Sequence, residues 1–224
     1  HNPEFTLLEW YRVGFDLHRL MDEVAELVTI LLGPRMGLES PERLTYQEVF
    51  LRHVEINPHT ATVAEFAAVA KRHGITAPQD LLAHHDLDAW RNLLLTHAVE
   101  PQLGRERLTF IHDYPASQAA LARLQPGDPP VATRFELYLK GMELANGFHE
   151  LADADEQRAR FEQQLHARTA ADLPAVPLDE RLLSALTHGF PDCAGVALGF
   201  DRLVMLAGGA RSIEEVLPFP LNYA

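Results

Sequence analysis

A single cysteine, Cys193, occurs in the 224 residues, which excludes an internal disulfide, and no spacing of Cys and His forms a zinc-binding pattern. The sequence also lacks any apolar run near the roughly 18 residues that a membrane span requires, and no signal peptide opens it. A reducing cytoplasm is therefore the expected setting. Basic residues are scarce: 19 Lys and Arg stand against 32 Asp and Glu, giving a formal charge of −13. That balance argues against a surface dominated by phosphate-neutralising side chains, although 19 basic residues can still cluster locally, so an RNA partner is disfavoured but not excluded. No internal repeat and no low-complexity tract occurs. His84 and His85 are adjacent, cannot share one helix face, and read as ordinary polar residues.

The 47% apolar content is ample for a substantial core. Residues 5–13, FTLLEWYRV, alternate as a strand with Phe5, Leu7, Glu9, Tyr11 and Val13 on one face. A helix is predicted from Asp16, with Leu17, Leu20, Met21, Val24, Leu27, Val28 and Leu31 inward and an end at Gly33-Pro34. From about 45 to 105 the texture changes to short helices, opened by the capping boxes Thr45-x-x-Glu48 and Thr62-x-x-Glu65, with a further helix after Asp86 that Pro101 stops. This block reads as a helical insertion in one sheet-based domain. RLTFIHDYP at 107–115 returns to strand, PASQAALARL suggests a short helix, and PGDPP at 126–130 a turn. A polar helix is expected over 155–170, another over about 179–188, then the strand GVALG running into a helix at Asp201-Arg202, and a last turn capped by Ser212 and Glu215. The predicted fold class is α+β, an antiparallel sheet flanked by helices.

Three features carry chemistry. RFELYLKGMELANGFHE, 134–150, reads as a hairpin turning near Lys140-Gly141. In one straight strand Glu136 and Glu143 would point to opposite faces; folded back, they can sit nearly opposite each other. Two carboxylates so placed are costly without a cation between them, which suits Mg²⁺ with phosphate oxygens completing its shell; the plain alternative is two exposed strand residues. Asn146, Phe148 and Glu150 alternate onto one face, and matching that face to Glu143 needs a bulge near Ala145. Arg202, at a helix start after a glycine-containing strand, is placed to meet an anion, though a lone arginine there is more often a surface residue. Finally, Glu9 between two aromatics on a strand face is unusual for plain core.

HNPEFT at residues 1–6, ELANGFHE and GVALGFDRL, in this order, resemble the catalytic domain of class II lysyl-tRNA synthetases, and nearly the whole chain is similar to their shorter paralogues, the elongation factor P lysine ligases. The resemblance implies an ATP-dependent ligase that forms an aminoacyl adenylate. It implies Phe5 stacked on adenine, His1, Asn2 and Arg202 on ATP with Arg202 stabilising the reacting polyphosphate, and Glu136 and Glu143 on Mg²⁺, Glu136 also contacting ATP. Glu9, Tyr11, Asn146, Phe148 and Glu150 would line the amino-acid pocket, their carboxylates reading a side-chain ammonium. Ala197 stands where the synthetases typically have glycine. Its methyl is expected to reshape the space around the substrate's amino group and shift preference from α-lysine towards β-lysine, neutral drift being the alternative.

The resemblance further implies elongation factor P as acceptor, with tRNA disfavoured, no membrane partner, and a homodimer. The family's first motif and the Arg-x-Glu ahead of the HNPEF segment are absent from this sequence, so the stretch alone is expected to be inactive. Three readings remain open: a ligase acting on elongation factor P, part of a lysyl-tRNA synthetase, and a non-catalytic ATP-binding paralogue.

Overall fold

The computed structural model describes residues 2–83 and 86–221, so the expectations for His1, His84 and His85 lie outside the described residues. Strand β1 (Leu7–Val13) is followed by helix α1 (Leu17–Met36), β2 (Glu39–Thr45), and four helices, α2 (Tyr46–Val54), α3 (Val63–Arg72), α4 (Gln79–Ala83) and α5 (Leu87–Leu94). A π turn over Leu95–Val99 and a 3₁₀ turn over Glu100–Gln102 lead into β3 (Arg107–Pro115) and β4 (Leu124–Gln125). The hairpin β5 (Val131–Leu139) and β6 (Met142–His149) precedes α6 (Ala154–Ala170), α7 (Glu180–His188), β7 (Cys193–Gly199) and α8 (Phe200–Gly208).

These strands form one sheet in the order β1-β7-β6-β5-β3-β2, with β4 beside β5. It is antiparallel except for β2, which runs parallel to β3. Strand β2 is not foreshadowed by its residues: ESPERLT is polar, contains proline, and lies at the edge of the sheet, largely exposed over its first half. The fold is α+β, as expected, but the sheet is mixed.

One face of the sheet carries α1 and α8. Leu20, Met21, Val24, Val28 and Leu32 of α1 bury against Phe110, Phe135, Leu137, Val196 and Leu198, each full burial contributing about 1.5–3 kcal/mol. Two expectations for α1 are corrected. The buried stripe ends at Leu32, with Leu31 48% exposed, because the 100° step per residue carries the stripe round by its last turn. The helix also continues through Gly33-Pro34 to a left-handed cap at Gly37, whose N–H donates to Gly33 O. The carbonyl four residues before Pro34 belongs to exposed Ile30, so the bond that proline cannot make is lost where water replaces it.

The opposite face is divided. Its β2–β3 side is covered by the helical segment 46–102, where Tyr46, Phe50, Phe66 and Trp90 pack with Ile111, Tyr114 and Tyr138. Both capping boxes form, with Thr45 and Thr62 accepting from the backbone N–H of Glu48 and Glu65. Asp86 caps α5 and Asp179 caps α7. The rest of that face, over β1, β7 and β6, is left for the site. The expected helix after Pro115 shrinks to a 3₁₀ turn over Ala116–Gln118.

Candidate active site

Register decides which side chains share this open face. Glu9 pairs with Ala197, Ala197 with Asn146, and Asn146 with Glu136. Directly paired residues project to the same side of a sheet, so these four form one transverse row. The next row is Tyr11, Gly195, Phe148 and Arg134. In both rows every residue but Gly195, Glu136 and Arg134 had been singled out for the amino-acid pocket, and Glu136 for the metal.

The hairpin supplies the third row. Lys140 and Gly141 both have positive φ, 52° and 71°, the two-residue turn whose twist matches flanking strands. Tyr138 pairs with Glu143 and Leu137 with Ala145, so Leu144 is an extra residue in β6. This bulge, one position from where it was expected, reverses the parity of β6 and brings Glu143 to the same face as Glu136 and Asn146. Glu143 lies opposite Tyr138 rather than opposite Glu136, two residues along from the position the sequence suggested.

A cavity of about 640 Å³ opens at this end of the face. Asn2, Phe5, Glu143, Asn146, Ala197 and Arg202 all line it. Phe5 lies just ahead of β1 rather than within it, 57% exposed, with its ring free to take a planar partner. Its approach is fixed at the adjacent residue: Thr6 N donates to Asp201 Oδ2 at 2.6 Å, and Thr6 O accepts from Phe200 N at 3.0 Å. Arg202 Nη1 donates to Glu143 O at 2.6 Å and lies 3.6 Å from Glu143 Oε2. Burial and the neighbouring Glu136 charge push the Glu143 carboxyl up to about 7, against the pull of Arg202 and Arg134. Asn146 Oδ1 is buried and has no hydrogen-bond partner among the described residues, an acceptor left for a ligand or water.

At the other end, Tyr11 and Glu150 close over Gly195 and line a second cavity of about 400 Å³, walled by Leu182 and Leu186 of α7. Burial pushes the Glu150 carboxyl up to about 7, Arg123 opposing. Burial, then the charges of Glu150 and Glu9, raise the Tyr11 hydroxyl. Glu9 itself is exposed at the sheet edge.

Glu136, 7% exposed, is the most elaborately held group of the site. Its Oε2 accepts from Tyr114 at 2.7 Å and Tyr138 at 2.5 Å, and its Oε1 is ion-paired to Arg134. Sequence reading missed all three partners. Arg134 and Tyr138 could have been found, since they flank Glu136 at two-residue spacing. Tyr114 could not: simple alternation along β3 puts it with Phe110 on the α1 face. Asp113, at φ 58°, interrupts the β3–β5 register and turns Tyr114 to the other side.

Whether a divalent cation fits here is a question of donor chemistry. Among the described residues no three His, Cys, Asp or Glu converge into an all-protein cage. Two carboxylates on one face, beside a cavity with room for phosphate oxygens, are the donor set that Mg²⁺ takes when the nucleotide supplies the remainder. Glu143 Oε atoms receive no short hydrogen bond among the described residues, and Glu136, with three donors, keeps a lone-pair direction in reserve. The residues fit.

The sequence family described as tRNA synthetases class II (D, K and N) matches residues 1–223. The chain is 50% identical over 224 residues to elongation factor P–(R)-β-lysine ligase of Yersinia enterocolitica, covering all of this chain and 67% of that protein. It is 49% identical over 225 residues to the ligase of the same name from Pectobacterium carotovorum and 50% identical over 224 to that of Klebsiella pneumoniae, with the same coverage. No helix among the described residues is long and apolar enough to cross a membrane.

Proposed function

The chain belongs to the class II tRNA synthetases of the D, K and N group, and on that premise we propose that it activates β-lysine with ATP and transfers it to a lysine of elongation factor P. The observation that carries this reading is the row Glu9, Ala197, Asn146, Glu136. It runs between a cavity with an exposed aromatic and an arginine, suited to a nucleotide, and a carboxylate-and-tyrosine pocket suited to an ammonium.

In the first step a carboxylate oxygen of the amino acid attacks the α-phosphorus of ATP; an acyl–phosphate bond forms and the bond to pyrophosphate breaks. Phe5 stacks on the adenine at the cavity mouth. Arg202, already directed at Glu143, offers its remaining N–H groups to the polyphosphate. Glu136 and Glu143 would hold Mg²⁺, which supplies charge neutralisation on the phosphates when bound. At the far end Glu150 and Tyr11, with Glu9 at the rim, receive the substrate's side-chain ammonium, and Asn146 Oδ1 accepts from its backbone-side amine. Ala197, between Asn146 and Glu9, narrows the floor where α- and β-amines differ in position.

In the second step the neutral ε-amine of the acceptor lysine attacks the activated carbonyl. An amide forms, AMP leaves, and the amine's proton passes to solvent. No side chain in the row is placed as an obligatory base, so the rate derives from orientation and electrostatics. A cytoplasmic homodimer belongs to the same proposal.

The test is ATP–pyrophosphate exchange by the full-length protein with α-lysine and β-lysine, followed by transfer. Exchange favouring β-lysine, with label appearing on elongation factor P, supports the ligase. Label on tRNA would make it a synthetase, and no exchange with either amino acid would leave a non-catalytic protein.

A further inference from the structure

Three donors converge on the Glu136 carboxylate, and two of them are phenols brought from separate strands onto the same oxygen, Oε2. Tyr114 and Tyr138 are each 1% exposed. Both are enclosed by protein, and the Tyr138 hydroxyl also lies 3.4 Å from Glu100 Oε1. Tyr114 packs on Tyr46 at 4.8 Å between ring centroids, and Tyr46 stacks on Phe50 at 4.7 Å, so the helical segment 46–102 fixes its position. The Arg134 guanidinium lies over the Tyr114 ring at 4.5 Å and donates to Gln118 O at 3.0 Å, so the third donor is braced as well.

A carboxylate can accept about four hydrogen bonds, two on each oxygen. With both sites on Oε2 taken and one on Oε1 taken, a single lone pair of Oε1 is left, and its direction is set by the other three bonds. Such a carboxylate offers an incoming cation one permitted geometry. Outer partners of this kind orient metal-binding carboxylates and set their affinity.

We propose that Tyr114 and Tyr138 are positioning residues: they orient Glu136 so that its one free lone pair meets the nucleotide-bound divalent cation. The proposal rests on the reading of Glu136 given above. It also gives the helical segment a share in the chemistry, because that segment is what holds Tyr114 in place.

The experiment uses the full-length protein and the variants Tyr114→Phe and Tyr138→Phe, which keep ring and packing and lose only the hydroxyl. Tyr46→Phe is the control. Its hydroxyl is equally buried in the same cluster yet has no hydrogen-bond partner among the described residues, so removing it leaves Glu136 untouched. Mn²⁺ binding to the ATP-loaded protein is measured from the loss of the free-ion electron paramagnetic resonance signal, alongside pyrophosphate exchange as a function of Mg²⁺. Tyr114→Phe and Tyr138→Phe are expected to weaken Mn²⁺ binding by roughly tenfold, at the low end of outer-partner effects on metal sites. They should raise the half-saturating Mg²⁺ by a similar factor, with KM for the amino acid unchanged and the rate restored at saturating Mg²⁺. Tyr46→Phe should match the unsubstituted protein.

Unaltered Mn²⁺ affinity in both variants, or an equal loss in Tyr46→Phe, overturns the positioning role. An unsubstituted protein that binds no Mn²⁺ in the presence of ATP overturns the functional reading itself. The two failures are thus separable.

Discussion

Gly195 lies directly beneath Glu150: a methyl group on its Cα would sit 2.5 Å from Glu150 Oε1, and 2.6 Å from the Tyr11 ring as well. The two groups assigned to the substrate's ammonium are therefore packed over a position that must have no side chain. The strand β7 brings Gly195 there because Cys193, Gly195, Ala197 and Gly199 alternate onto the site face.

Gly195→Ala is accordingly expected to displace Glu150 and Tyr11 and to raise KM for the lysine-type substrate while leaving KM for ATP unchanged. Overpacking costs about 1–3 kcal/mol, and if it falls on binding the effect is roughly tenfold or more. Pyrophosphate exchange with each substrate varied in turn checks this. An equal rise in both constants would mean that Gly195 supports the sheet and not the pocket.

Glu150 also sets a pH dependence. Burial holds its carboxyl at about 7, above its ordinary 4.5, so the folded protein retains this proton better than the unfolded chain. Its contribution to stability is therefore fully present below pH 4.5 and is lost as pH rises towards about 7. An ammonium needs the carboxylate, so affinity for the amino acid should climb as pH rises to about 7 and then level, changing by up to tenfold per pH unit below that point. Binding titrations from pH 5.5 to 8.5 should show this inflexion, and Glu150→Gln should abolish it. The substrate should also raise the melting temperature more at pH 8 than at pH 5.5.

Ala197 can be examined on its own terms. It pairs with Glu9 on one side and Asn146 on the other, so its methyl lies between the residues expected to meet the substrate. Ala197→Gly should improve exchange with α-lysine relative to β-lysine by roughly tenfold or more, the scale on which one methyl discriminates. An unchanged ratio would assign Ala197 to packing alone.

The extent to which this molecule can be read from its sequence follows the local character of each signal. Capping boxes at Thr45 and Thr62, the turn at Lys140-Gly141 and the alternation of Asn146, Phe148 and Glu150 are encoded within a few residues, and all form. The bulge at Leu144 was legible because two faces had to be reconciled across it. What escaped depends on distant chain. The parallel strand β2 exists only because β3 presents an edge to it. Tyr114 reaches Glu136 through a register shift at Asp113 that no alternation rule contains. The role of Gly195 depends on Tyr11 of β1 and Glu150, just past the end of β6, meeting above it.

Asp201 offers the complementary test at the nucleotide end. It precedes Arg202 in the helix, is 7% exposed, and receives the backbone N–H of Thr6 at 2.6 Å. Through that bond the corner at the start of α8 holds the segment carrying Phe5, so one residue ties the ring expected beneath the adenine to the arginine expected on the phosphates. Asp201→Ala leaves the Thr6 N–H without its acceptor, at a cost of about 1–3 kcal/mol. Because the freed segment leads to Phe5 and not to Glu150 or Tyr11, the loss should appear as a several-fold rise in KM for ATP, with KM for the amino acid little changed. Asp201→Asn, which retains an oxygen able to accept from Thr6, should recover most of the difference. If Asp201→Ala instead raises KM for the amino acid, the division of the open face into a nucleotide end and an ammonium end is wrong.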